Sequence, residues 1–485
     1  MLARIGVRGG LRLDAHKERS TAAPIAVAPA PRVAVLPLDQ HAGEAAIPIV
    51  STGDTVAVGQ PIARPGAELS AWLHAPISGR VVAIEPRPAA HRAGEASMSV
   101  VIANDGRETR YVPERSLSDY ANITPLELRE WIERGGIVGL GGAAFPTAVK
   151  LARATDRSAL SLLLNGAECE PFISCDEMLM RERADDIVYG ARVLLHALEA
   201  DECVIALEDS SPQAADALRA ALARADDARI RLVTVPTLYP VGGERQLITA
   251  VFGREVPSDG WPLDIGIVSQ NVATAAAVAR WIRDGEPLIS RIVTVTGDGV
   301  ARPRNLEARV GTPIAELIAA CDGYTPRVER LLMGGTMMGI ALPSDELAVV
   351  KATNCIVAAS ALDLQQRAPE MPCIRCGNCS EVCPAFLLPQ QIHASARAND
   401  LAGLERYGLM DCIECGCCDY VCPSQIPLVE RFRTAKPQLA AHLQARASAR
   451  ASRLRYENRR ERLARLEAER RARLEEKRRL ARQKV

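Results

Sequence analysis

Eight cysteines lie within fifty residues of one another, in two copies of one pattern, and no other feature limits so strongly what this chain can fold into. The first copy reads Cys373-Ile-Arg-Cys376-Gly-Asn-Cys379-Ser-Glu-Val-Cys383-Pro384. The second reads Cys412-Ile-Glu-Cys415-Gly-Cys417-Cys418-Asp-Tyr-Val-Cys422-Pro423. Both are C-x2-C-x2-C-x3-C-P, a spacing in which three soft thiolates wrap the corners of a [4Fe-4S] cubane. The fourth cysteine, turned away by the following proline, reaches the other cluster. The expected ligand sets are therefore Cys373, Cys376, Cys379 and Cys422 for one cluster, and Cys412, Cys415, Cys418 and Cys383 for the other. Paired C-x2-C also suits tetrahedral zinc, but four cysteines per run, duplicated and each closed by proline, favour iron and sulfide. Cys417 is extra and reads as a packing residue beside a cluster. Cys169, Cys175, Cys203, Cys321 and Cys355 stand outside the pattern and read as small buried hydrophobes.

A chain of 485 residues exceeds what one hydrophobic core organises and calls for three or four domains. Its 48% hydrophobic and 24% charged composition excludes wholesale disorder. No run of about 18 to 20 apolar residues is present, and MLARIGVRGGLRLDAHKERS has no apolar h-region or cleavage site, so a cytosolic, non-spanning chain is expected. The net charge of zero hides an asymmetry. Residues 441–485 carry 16 Lys/Arg against 6 Asp/Glu, which leaves the body at −10 and the tail at +10.

The second informative stretch opens with Thr124-Pro125-Leu126-Glu127, a helix start with a capping Thr and Pro in the first turn. Gly135-Gly136 ends that helix. Then comes Gly139-Leu-Gly141-Gly-Ala-Ala-Phe145-Pro-Thr-Ala-Val-Lys150, a glycine-rich loop leading into a helix, which can turn backbone N–H groups toward a phosphate. The dinucleotide fingerprint G-x-G-x-x-G is not met, since Ala144 stands at the third glycine. Ser161 to Leu164 reads as a buried strand that delivers Asn165, Glu168 and Glu170 to its C-terminal end, where open α/β sheets place ligands. By themselves the two carboxylates could be solvated loop residues, and Asn271 could be a plain helix cap.

GLGGAAFPTAVK followed by LLLNGAECEP resembles the flavin-and-NADH-binding subunit of respiratory complex I. The chain from about Gly9 to Pro427 is similar to the C subunits of the Rnf (Rsx) ion-translocating electron transport complexes. The resemblance implies that Gly139, Gly141 and Lys150 approach non-covalent FMN and that Phe145 stacks on NAD(H). It places Asn165, Glu168 and Glu170 along the isoalloxazine and nicotinamide, the two glutamates as catalytic residues. Tyr239-Pro-Val-Gly-Gly-Glu244 matches a Tyr-x-x-Gly-Glu-Glu loop, and Gln270-Asn271-Val272 matches a paired-amide FMN loop. Ala167, Gly243 and Arg153 depart from the pattern, standing in place of an aspartate, a glutamate and a second aromatic. These departures bear on NADH more than on FMN.

The expected fold class is multidomain α/β and α+β. Residues 1–115 read as a barrel-sandwich-like β module, similar to biotinyl and lipoyl domains but without a carrier lysine between Gln60 and Pro76. Residues 116–288 would form the FMN/NADH-binding α/β domain, and 289–360 a soluble-ligand-binding β-grasp domain in which Met337 and Met338 pack in the core. A two-cluster ferredoxin-like helical domain is expected over 361–436 and a basic helical tail over 437–485. That tail reads as a solvated helix or as an arm for an anionic membrane or acidic partner; nothing supplies a base-reading element, so no nucleic-acid partner is expected.

The resemblance implies an NADH:ferredoxin-class translocase component that exchanges electrons between NAD(H), FMN and two [4Fe-4S] clusters. Its partners would be a cluster-bearing B subunit and integral-membrane subunits, at the cytoplasmic face of the bacterial inner membrane. A soluble flavin/iron-sulfur reductase, such as a cobalamin reductase, or a non-catalytic iron-sulfur wiring subunit would carry many of the same motifs.

Overall fold

The computed structural model describes residues 8–112, 119–154, 160–364 and 368–483. The expected junction at 115/116, the first seven residues, part of the 361–371 linker and the last two residues of the tail lie outside them. The chain forms two compact units, Met1–Pro369 and Glu370–Val485.

The first unit holds three sheet systems. Its N-terminal module pairs a four-stranded antiparallel sheet (Val33–Pro37, Ala96–Asn104, Gly79–Pro88, Thr55–Val56) with a three-stranded one (Ile47–Pro48, Pro61–Arg64, Leu73–His74). Leu36, Ile62, Leu73, Val81, Val100 and Ile102 from the two sheets close one apolar core, the alternation expected of a β module with one buried face per sheet.

The central domain is built on four parallel strands in the spatial order Ile230–Val235, Glu202–Glu208, Ser161–Gly166, Ile267–Asn271. Leu162, Leu163 and Leu164 are fully buried, as a strand covered on both faces requires, and each contributes roughly 2 kcal/mol of apolar burial. The chain starts in the third of these positions, moves outward twice, and returns to the far side with Ile267–Asn271. A topological switch point therefore falls between Ser161–Gly166 and Ile267–Asn271. The helix Pro125–Arg134 begins as its sequence demands, with the Thr124 hydroxyl accepting from the Glu127 amide.

The third system is a six-stranded mixed sheet in which Ser290–Thr296 is central, flanked by Arg304–Arg309 and Cys355–Ala359, with the helix Ile314–Ala319 against it. The short strand Ala26–Val27 joins its edge. Met337 and Met338 do not pack in the core of this domain: Met338 is 43% exposed, and the pair contributes its main chain instead, as described below.

In the second unit, short helices Asn378–Glu381 and Cys417–Tyr420 lie within the two cysteine runs, and Pro389–Arg397 and Leu401–Arg406 separate them. Ile392, Leu404, Leu409, Ile426, Phe432 and Leu439 form the core. One helix, Leu428–Arg482, runs through Pro437 and across the expected 436/437 boundary. Its first turns are buried through Leu439, and beyond residue 444 it is exposed throughout. No helix among the described residues is long and apolar enough to cross a membrane.

Candidate flavin and iron-sulfur sites

The two cysteine runs fold into near-copies. In the first, Arg375 (φ 57°) and Gly377 (φ 89°) take left-handed backbone; in the second, Glu414 (φ 58°) and Gly416 (φ 80°) do the same. Each reversal turns the run inward. Cys373, Cys376, Cys379 and Cys422 line one hollow of about 390 Å³. Cys412, Cys415, Cys418 and Cys383 line another of about 370 Å³. Each hollow thus gathers three thiols from one run and the fourth from the other, a donor set that fits a [4Fe-4S] cluster. Cys417 is fully buried and lines the second hollow as a fifth thiol.

The copies differ in cover. Cys373 and Cys376 are exposed, whereas Cys415, Cys417 and Cys418 are buried. On the second run, Lys436 of the long helix donates to the Cys412 carbonyl (2.6 Å) and pairs with Glu414 (2.6 Å).

The glycine loop stands at the switch point. Gly139 N–H donates to the Phe145 carbonyl (2.8 Å), Leu140 N–H to Thr274 Oγ1 (2.9 Å), and Leu140 C=O accepts from the buried Arg291 guanidinium (3.0 Å). With Leu140 held on both sides, Gly141 and Gly142 form the open lip. Gly142 adopts φ +104° with nothing within 4 Å of where a Cβ would be, and a Cβ on Gly141 would make only ordinary contact with Asn271 at 3.5 Å. The lip is a cradle that side chains would fill. Two buried polar atoms nearby in sequence, Thr147 Oγ1 and Gln270 Nε2, have no partner within the described structure. A bound polar group that satisfied them would recover about 1–3 kcal/mol each. The open lip at the switch point fits an FMN phosphate.

Asn165 and Asn271 are cross-strand neighbours at the switch point. Asn165 donates to the Gly242 carbonyl (2.8 Å) and accepts from Ala167 N–H (3.0 Å). Asn271 is a helix cap, accepting from Ala273 N–H (2.8 Å), but its amide also donates to Asp176 (2.6 Å).

Neither glutamate is a solvated loop carboxylate. Glu168 is buried and accepts from the amides of Asp176 (3.0 Å) and Glu177 (3.2 Å) and from the Cys175 thiol (3.2 Å), so it closes the N-terminus of the helix Cys175–Glu182. One oxygen of Glu170 accepts from both Met337 N–H and Met338 N–H (2.8 Å each). A loop of the six-stranded-sheet system thus grips a residue of the central domain. Burial pushes both carboxyls above the ordinary glutamate range, against the pull of those amides and, for Glu168, of Lys17.

Beside the switch point opens a hollow of about 780 Å³ lined by Phe145, Lys150, Arg153, Glu244, Trp261 and Ser269. Lys150 pairs with Glu244 (2.9 Å) and donates to the Ser269 carbonyl (3.1 Å). Cations and rings alternate along the wall. Lys150 lies 5.9 Å from the Phe145 ring, Phe145 6.3 Å from Trp261, and the Arg153 guanidinium 5.3 Å over Trp261. Arg153, expected to displace an aromatic, is thus set over one brought by a distant loop. Tyr239 is buried away from this lining, its main chain paired with Leu11. Sequence reasoning missed Trp261, Asp176, Arg291 and Lys17; of these only Trp261, an exposed large aromatic beside a Pro-Leu-Asp turn, carried a local signal.

Known proteins resemble this chain along most of its length. Family models match as the RnfC barrel sandwich hybrid domain (residues 5–107), the Nuo51 FMN-binding domain (132–280), the SLBB domain (292–341) and the 4Fe-4S dicluster domain (371–426). The chain is 48% identical over 95% of its length to the C subunit of an ion-translocating oxidoreductase complex of Pseudomonas aeruginosa, of which it spans 59%. It is 43% identical over 90% of its length to the subunit of the same name from Rhodobacter capsulatus, of which it covers 84%. A solved NAD+-reducing [NiFe]-hydrogenase chain aligns at a TM-score of 0.48 and 19% identity over 67% of this chain and 65% of that one. With two thirds of the Rhodobacter subunit and more matched at this identity, the chain belongs to the RnfC family, the C subunits of ion-translocating oxidoreductase complexes.

Proposed function

We propose that this chain is the electron-exchange subunit of an ion-translocating oxidoreductase complex. FMN would lie at the switch point on Gly139, Gly141, Asn165 and Asn271, with NAD(H) in the adjoining hollow and two [4Fe-4S] clusters in the cysteine hollows. FMN, when bound, supplies the exchange between a two-electron hydride and single electrons that iron-sulfur clusters need. The protein's own share is positional. The glycine lip fixes the phosphate, Phe145 and Trp261 offer ring faces to the dinucleotide, and Lys150 and Arg153 answer its pyrophosphate charge. Glu168 and Glu170, held rigid by main-chain amides, would set the polarity on the nicotinamide side. The exposed Cys373–Cys376 edge suits exchange with a cluster-bearing partner subunit. Integral-membrane partners, at the cytoplasmic face, would supply the attachment.

The observation that carries the reading is the cradle at the switch point beside a hollow lined with alternating rings and cations. Its test is anaerobic bleaching of the flavin by NADH. The wild type should bleach. Trp261→Ala should retain FMN and both clusters but require NADH concentrations on the order of tenfold higher, the scale of a lost aromatic contact. An unchanged NADH requirement would remove the hollow from the dinucleotide path.

A further inference from the structure

Behind Asn271 lies a group of buried charges for which positioning a flavin gives no reason. Asp176 Oδ2 accepts from Asn271 Nδ2 at 2.6 Å. A carboxylate oxygen of Glu168, Cys175 Sγ and a carboxylate oxygen of Asp176 all lie within 4.8 Å of one another. Lys17, from the N-terminal segment, stands 3.9 Å from Glu168 and 4.0 Å from Glu208, at the end of the neighbouring strand. Glu177 faces the same space and is paired with Arg181. Arg291, on the strand Ser290–Thr296, is fully enclosed near Asp176 and Cys175, with N–H groups given to the Lys351 and Leu140 carbonyls.

Of the carboxyls Glu168, Asp176, Glu177 and Glu208, Arg181 serves Glu177 and the Arg291 charge reaches Asp176 and Glu168 while its N–H groups go to main-chain carbonyls; Arg183, Asp186 and Arg280 line a hollow with Asp176. Lys17 is left between Glu168 and Glu208. Among the described residues Glu208 Oε1 is buried with no hydrogen-bond partner, so this carboxyl is undercompensated. Burial pushes Glu208 up to about 7 and raises Asp176 and Glu168. Burial therefore favours the protonated form of these carboxyls.

We propose that the Asp176–Glu168 pair is a redox-linked proton site: it binds one proton from solvent when the flavin is reduced and releases it when the electrons leave. This inference rests on the reading that Asn271 lines the flavin. In balance, NADH gives the flavin two electrons and one proton as hydride and becomes NAD+, leaving one added negative charge at the site. One solvent proton then converts a carboxylate of the pair to a carboxylic acid. On reoxidation two electrons pass to the clusters, and both the flavin proton and the carboxyl proton return to solvent. The driving force is ordinary. A new negative charge close to a buried acid favours its neutral form, and Asn271 joins the two places through one hydrogen bond. A pair that shares a proton in this way titrates as a unit; without the Asp176 charge beside it Glu168 stays ionised against Lys17, so loss of Asp176 removes the uptake.

The test uses the purified holoprotein and two readouts other than turnover. Reduced-minus-oxidised infrared difference spectra of the wild type should show a carboxylic-acid C=O band that grows on reduction and shifts in D2O. It should be missing in Asp176→Asn, which keeps an acceptor for Asn271. Flavin potentials measured between pH 6 and 8 should report about one proton fewer per two electrons in that variant. Wild-type spectra without such a band, or equal pH slopes in both proteins, would overturn the proposal while leaving the flavin reading intact. Protein with both clusters and no FMN would overturn both.

Discussion

The cysteine hollows and the proposed flavin cradle are opposite kinds of site. Each cysteine hollow is written almost completely in a dozen consecutive residues, with one ligand borrowed from a second copy of the same phrase. The flavin cradle is assembled across the chain. Leu140 is held by Arg291, Glu170 by the amides of Met337 and Met338, and Glu168 has Lys17 beside it. Soft thiolate chemistry tolerates little variation in spacing, so the pattern is legible locally. A non-covalent site needs shape and polarity, which any neighbouring element can supply, and the suppliers are visible only after folding.

That difference predicts a graded response to substitution. The largest effect should come from a crossing ligand. Cys383→Ala should abolish the cluster of the Cys412, Cys415 and Cys418 hollow, lowering iron by about four per chain while the first-run cluster keeps its electron paramagnetic resonance signal. Loss of the first-run signal instead would break the crossed pairing.

A smaller effect should follow from Gly141→Val. A Cβ there first meets Asn271, at an ordinary 3.5 Å, so the backbone position itself admits a side chain. The phosphate approach does not, and FMN content should fall on the order of tenfold with clusters retained. FMN held at wild-type level would reduce the loop to a turn and sharpen the contrast further, since the cradle would then lie elsewhere.

The smallest effect concerns how the first unit is held together. His41 and His74 are buried, and desolvation with the nearby Lys351 lowers them to about 4 and about 3. Their folded values lie below the unfolded one, so the unfolded chain binds more protons as pH falls below about 6.5, and stability is lost from there down toward pH 4. Down to pH 5, where both stay neutral in the folded chain, each histidine contributes about 2 kcal/mol of that loss. All four tryptophans lie in the first unit, so urea unfolding followed by tryptophan fluorescence at pH 7.5 and 5 reads this unit alone. His41→Gln should flatten the pH dependence, and an unaltered slope would assign it to other groups.

Much of the fold was legible in the sequence. Thr124-Pro125 marked a helix start with its cap, the Leu162 to Leu164 run marked a strand buried on both faces, and the duplicated cysteines marked two hollows. What stayed hidden was partnership over distance. Met337 and Met338 read as core packing because side-chain type carries no information about a main-chain N–H, and it is their amides that grip Glu170. Arg153 read as a lost aromatic because Trp261 lies 108 positions away. Glu168 and Glu170 were visible as a carboxylate pair, but their burial could not be read from a loop rich in polar residues.

The central claim is that one chain carries both a flavin and two iron-sulfur clusters, and composition tests it most directly. Protein purified anaerobically should contain about eight iron, eight acid-labile sulfide and one extractable FMN per chain. Stoichiometric zinc in place of iron, or a full complement of clusters with no flavin, would contradict it.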